Sequence, residues 1–136
     1  MLVPGMCGTR LVDERGRIVW GNLASLYTGP SITTATRSAG LLESIEIVPG
    51  VAGVDIYGGL VRFFERAGYR RGEDLFVLDY DWRTGAVDGA RALARTISAI
   101  RGIGDERVDV IALSTGGIVT RAYLAEHGGA ALRRVV

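Results

Sequence analysis

Apolar and polar positions along the chain fall into short blocks with different periods. "MLVP" is an apolar run that stops at Pro4-Gly5, which predicts a strand entering the glycine-rich turn "GMCGTRL". From Arg10 to about Gly50 periodicity is weak: "LVDERGRIVWG" predicts a small hairpin around Arg15-Gly16, and "TGPSITTATRSAG" has loop chemistry. This stretch reads as an excursion or cap. "IEIVPG" repeats the strand-then-Pro-Gly pattern, and in "DIYGGLVRFFERAG" the residues Ile56, Leu60, Phe63, Phe64 and Ala67 share one helical face, with Gly68 set to end the helix. "DLFVLDY", with Leu75 and Val77, predicts a compact strand ending at "DWRTG". A second amphipathic helix follows in "AVDGARALARTISAIRG", with Val87, Ala90, Leu93, Ile97 and Ile100 at spacings of three and four. "RVDVIAL" is the next strand. Ile118, Ala122 and Leu124-Ala125 then suit a buried stripe on a third helix that Gly128 can stop, and "LRRVV" begins another strand.

Strands alternating with helices in this order predict an α/β fold around a parallel sheet with right-handed crossovers. Functional groups in such sheets collect at the carboxyl ends of the strands. Here those ends are "PGMCG", "YDWR" and "LSTGG".

Composition narrows the classes. The chain has 136 residues, the length of one domain (1–136, with 10–50 as the excursion). Apolar residues at 48% and charged residues at 23% match a soluble globular protein, and no run reaches the roughly 18 apolar residues a bilayer span needs. Sixteen basic and fifteen acidic residues leave a formal charge of +1, with neither sign blocked into a run, so nucleic acid is not an expected partner. A single cysteine, Cys7, excludes an internal disulfide and a multi-cysteine metal site. "MLVPGMCG" does not read as a signal peptide, and the chain as written is expected to be cytoplasmic. Its 20 glycines are about twice the usual share of roughly 7%, without a repeat, so each needs a local reason.

The sharpest chemical signal is Ala112-Leu113-Ser114-Thr115-Gly116. A nucleophile elbow holds a serine on a strained strand-to-helix turn, with small residues two positions to either side. Ala112 and Gly116 meet that demand, Gly117 is expected to permit close helix-to-strand packing, and the helix start directs free N–H groups toward an oxyanion. Small residues also suit a tight turn that does no chemistry, or a loop that holds a phosphate. The motif alone does not separate these readings.

Five segments in order, "LVPGMCGTRL", "IVPG", "GYRRGEDLF", "YDWR" and "ALSTGGIVTRAYL", resemble the N-terminal half of the lecithin:cholesterol acyltransferase family of α/β-hydrolases. "YDWR" shortly before a serine elbow is the most distinctive. The family usually has histidine before the serine and a bulky apolar residue after it, where this chain has Leu113 and Thr115. The resemblance implies a partial α/β-hydrolase fold, its central parallel strands flanked by helices, with a cap-like excursion over an acyl site in which Trp20 falls. It implies Ser114 as nucleophile and the backbone N–H groups of Met6 and Thr115 as the oxyanion hole. The implied substrate is a lipid or other ester, with no cofactor or metal, and the cap leaves open a transient contact with a membrane surface. Asp81 and Arg83 are expected to pair locally while Tyr80 and Trp82 pack beneath the cap, with direct contact to the substrate as the alternative. Cys7 is expected to be a turn residue, since no histidine near it in sequence could activate it.

A serine nucleophile needs a base, and the one histidine, His127, lies thirteen residues after Ser114. Along a helix that is about 20 Å. Glu126 shares that remote end. The resemblance sets the acid and histidine in strands and loops beyond Val136, so the chain by itself is expected to be nearly inactive, with "DLFVLDY" and "LRRVV" as unpaired sheet edges. The expected function is a serine acyl hydrolase or O-acyltransferase working through an acyl-enzyme. The alternative is a non-catalytic hydrolase-fold fragment or pseudoenzyme with a binding or assembly role.

Overall fold

The computed structural model describes residues 1–30, 35–48, 50–102 and 107–136. Part of the loop expected over 28–40, and Pro49 of "IVPG", therefore lie outside the described residues. β1 (Leu2–Val3) is only two residues long, and both are buried. β2 (Thr9–Asp13) and β3 (Ile18–Trp20) form the hairpin expected around Arg15-Gly16. Its turn is held by the Asp13 carboxylate, which accepts the N–H groups of Arg15 and Arg17 at 2.9 and 2.8 Å. The short helix α1 (Leu23–Thr28) starts from Asn22, whose side chain accepts the Ser25 N–H while the Ser25 hydroxyl returns to the Asn22 backbone.

β4 (Thr36–Leu41) corrects the expectation of a loop through this stretch. It pairs antiparallel with β2 and gives a sheet of order β3–β2–β4. "TRSAGL" lacks the apolar alternation of a strand; pairing with the buried Leu11 and Val12 of β2 overrides its weak local preference. β5 (Ser44–Val48) and β6 (Ala52–Asp55) form a separate antiparallel hairpin, so "IEIV" is a strand outside the parallel sheet.

The rest alternates helices and parallel strands: α2 (Gly58–Arg66), α3 (Ala86–Arg101), β7 (Val108–Ala112), α4 (Thr115–His127) and β8 (Leu132–Val135). The parallel sheet has the order β1–β7–β8, with Leu2 opposite Ile111 and Val108 opposite Leu132. "DLFVLDY" is not a full strand. It meets the free edge of β1 through a single parallel bridge, Leu2 to Val77, closed by Leu2 N–H to Phe76 O and Leu78 N–H to Leu2 O, both 2.8 Å. A two-residue β1 has no further groups to offer, and the Tyr80 carbonyl is already taken by the Thr9 hydroxyl at 2.6 Å.

Side-chain alternation splits the core between the two sheet faces. Val3 and Val110 face α3 and α4, packing with Leu78, Leu93, Ile97 and Val119. Leu2 faces α2, packing with Val61 and Leu75. A third cluster, Leu11, Trp20, Leu42 and Ile45, fills the antiparallel part. α3 buries Ala90, Leu93 and Ile97 as its spacing predicts, although Val87 is exposed.

The other two helices are rotated from expectation. α2 buries Val61 between half-buried Leu60 and Phe64, leaving Ile56, Phe63 and Ala67 exposed. α4 buries Gly116, Val119, Thr120 and Tyr123, whereas Ile118 and Ala125 are exposed and Ala122 and Leu124 only half-buried. The α4 rotation is set by its smallest residue: Gly116 faces the Val3 carbonyl at a distance no side chain could share. Gly117, expected to serve that close packing, instead faces open space.

Candidate active site

β1 and β7 are adjacent and parallel, so their carboxyl ends deliver two turns to one place. Ser114 stands in the turn from β7 to α4 at φ 54 and ψ −125. Cys7, at φ 65, is the other non-glycine residue with positive φ among the described residues, and it lies in the facing turn after β1. Such backbone costs about 1–3 kcal/mol and persists only where surrounding structure dictates it. Here the dictating contacts are Gly116 against the Val3 carbonyl below the turn, and Gly5 beside it. A β-carbon on Gly5 would come within 2.8 Å of Ser114 Cβ and 3.3 Å of its Oγ. The Ser114 side chain is exposed and carries no hydrogen bond among the described residues.

The structure brings all three predicted site residues together. The Met6 N–H points to Thr115, donating to its Oγ1 at 2.5 Å. Thr115 is the first residue of α4, so its own N–H has no partner within the helix. A cavity of about 160 Å³ opens beside them, lined by Met6, Thr115, Tyr80, Trp82, Ile118 and Val119 among others. A larger one, about 310 Å³, lies between Met1, Phe64, Leu75, Phe76 and Arg133, toward the opposite strand ends and without a nucleophile.

Sequence reasoning missed how the turn after β1 is held. Besides the Met6 N–H, three of its backbone groups are tied to side chains distant in sequence. The Gly5 N–H donates to the Tyr57 phenol oxygen at 3.2 Å, the Tyr80 hydroxyl donates to Pro4 O at 3.0 Å, and the Trp20 indole donates to Cys7 O at 3.0 Å. Burial pushes the Tyr80 phenol up, an effect that nearby Tyr57 reinforces and the Thr115 hydroxyl opposes. Tyr57 gives no signal in sequence, because its partner is a backbone group 52 positions away. Burial also pushes the Cys7 thiol up, away from the thiolate a nucleophile would need.

The side chains of "YDWR" bond within the fold. Asp81 and Arg83 pair at 2.7 Å and both are largely buried. Thr36 of β4 joins them: its hydroxyl donates to Asp81 Oδ2 at 2.7 Å and accepts from Arg83 Nη2. Trp82 packs edge-to-face on Trp20, ring centroids 5.7 Å apart, and its indole donates to Thr9 O at 3.2 Å. The motif therefore ties the antiparallel sheet to the turn that carries Met6.

His127 closes α4 at the end remote from Ser114 and stacks on Tyr123 at 5.1 Å. Among the described residues no cluster of three or more His, Cys, Asp or Glu could hold a metal ion, and no helix is long and apolar enough to cross a membrane.

The lecithin:cholesterol acyltransferase family model matches residues 17–130, which include "YDWR" and the Ser114 turn. The chain belongs to that family. The match begins after the turn that carries Met6. No curated protein and no solved structure matches the chain. Membership of the lecithin:cholesterol acyltransferase family associates the chain with acyl transfer or hydrolysis of lipid esters.

Proposed function

We propose that the protein is a serine acyl hydrolase or O-acyltransferase acting on lipid-like esters through an acyl-enzyme at Ser114. The observation that carries this reading is the strained backbone of Ser114 at the carboxyl end of β7, facing the turn after β1. Ser114 Oγ attacks the ester carbonyl, and its proton passes to a base. The Met6 and Thr115 N–H groups hold the oxyanion, the alcohol leaves, and the acyl group then moves from Ser114 to water or an acceptor alcohol. The cavity lined by Trp82 and Ile118 lies where the acyl chain would emerge. The parallel sheet corresponds in this reading to the central strands of an α/β-hydrolase, and residues 10–50 to its cap. Ile47, Val48, Val51, Val54 and Ile56, exposed on and beside the β5–β6 hairpin, would let that side touch a lipid surface.

The distant position of His127 favours a second reading, in which this stretch of chain keeps the fold for binding or assembly. In the catalytic reading the acid and histidine come from sequence after Val136, and the 136-residue chain alone turns over poorly. Fluorophosphonate labelling separates the two. Labelling of the full-length protein at Ser114 that disappears in Ser114→Ala supports the enzyme, whereas no labelling at Ser114, or esterase activity unchanged in that variant, rules the nucleophile out.

A further inference from the structure

The amide assigned above to the oxyanion already has an acceptor. Met6 N–H donates to Thr115 Oγ1 at 2.5 Å, and that oxygen belongs to the residue directly after the nucleophile. An N–H group carries one hydrogen, so an ester oxygen and the Thr115 hydroxyl compete for it. We propose that the Thr115 side chain gates the oxyanion hole: its hydroxyl closes the hole at rest and must swing away before Met6 can hold an oxyanion. The inference rests on the reading of Ser114 and Met6 given above.

Three features of the site support the gate. Threonine on a helix divides between two side-chain rotamers, so a bonded and a withdrawn position are both accessible to the first residue of α4. The acceptor is covalently next to the nucleophile, so it is always present, whereas water must be recruited. The turn around Met6 does not need this bond to stay in place, because Tyr57, Tyr80 and Trp20 hold Gly5, Pro4 and Cys7 independently. A valine at 115 would match threonine in shape and offer Met6 no acceptor.

Two measurements test the gate, on the protein carried past Val136 to include the acid and histidine that the catalytic reading requires. The first follows the Met6 amide proton by NMR. Thr115→Val should move that resonance upfield and Thr115→Ser, which keeps the hydroxyl, should move it less; no change in Thr115→Val would show that the bond does not form. The second is the rate of fluorophosphonate labelling at Ser114. Thr115→Val should raise it about fivefold, the factor that one net hydrogen bond of about 1 kcal/mol represents, and Thr115→Ser should not reproduce the gain. A role limited to packing predicts the reverse order, with valine no faster than serine, and that result, or a slower Thr115→Val at unchanged melting temperature, overturns the gate. If labelling survives in Ser114→Ala, the serine reading fails first and the gate falls with it, whatever the NMR shows.

Discussion

The carbonyl oxygen of Val3 occupies the space that a β-carbon on Gly116 would need. This one approach, strand backbone against helix backbone, sets which face of α4 is buried and holds Ser114 above the sheet. Gly116→Ala should therefore cost about 1–3 kcal/mol or more by overpacking. The variant should melt earlier, and its Ser114 labelling should fall even at temperatures where it remains folded. Gly117→Ala, with open space at its β-carbon, should be stable or slightly stabilised, since alanine favours helix.

Strain at Ser114 makes a separable prediction. Ser114→Ala removes the hydroxyl and keeps the unfavourable φ of 54, whereas Ser114→Gly removes both. Each should abolish labelling. Thermal melts should nonetheless rank glycine above alanine by about 1 kcal/mol, a difference that relaxed backbone at this residue would not produce.

The Asp81–Arg83–Thr36 network predicts a pH dependence. Partial burial pushes the Asp81 carboxyl up, but hydrogen bonds from Arg83 and Thr36 outweigh it and hold the group below the ordinary carboxylate range. A carboxylate depressed by folding contributes stability that is present above its unfolded value of about 4 and is lost as pH falls through the folded value. Asp81→Asn should thus cost about 1–3 kcal/mol near neutral pH. Urea unfolding curves of the two proteins should converge as pH drops below about 4. A constant gap across that range would assign the effect to packing instead.

Local chemistry made much of this molecule readable in advance. Small residues around Ser114 indicated a tight strand-to-helix turn, and apolar spacing in 86–101 indicated the buried face of α3. What escaped depended on partners distant in sequence. β4 is a strand because β2 pairs with it, and "DLFVLDY" stops short of one because β1 offers only two residues. The face of α4 follows Gly116 rather than its larger apolar side chains, since close approach outweighs hydrophobicity where backbones touch. Met6 and Thr115 could be named as backbone donors, but nothing in the sequence indicated that the Thr115 hydroxyl meets the Met6 amide.

Tyr57 offers the test of how much that long-range bracing matters. Its ring packs on the Gly8 side of the turn, where a β-carbon on Gly8 would meet the ring at 3.0 Å, and its oxygen accepts the Gly5 N–H. Tyr57→Phe keeps the ring and leaves Gly5 without that acceptor, which should cost about 1–3 kcal/mol. Because Gly5 immediately precedes Met6, the turn should also lose its fixed aim. Labelling of Ser114 should fall, by at most the roughly 100- to 1,000-fold that losing an oxyanion donor entails. Tyr80→Phe, which loosens Pro4 O instead, should lower stability in the same way, but it also removes the phenol that meets the Thr115 hydroxyl, so its labelling rate does not isolate the bracing. If Tyr57→Phe loses stability but labels at the wild-type rate, that phenol braces the fold without aiming the Met6 amide, and the proposed oxyanion hole would have to be held by the Ser114 turn alone.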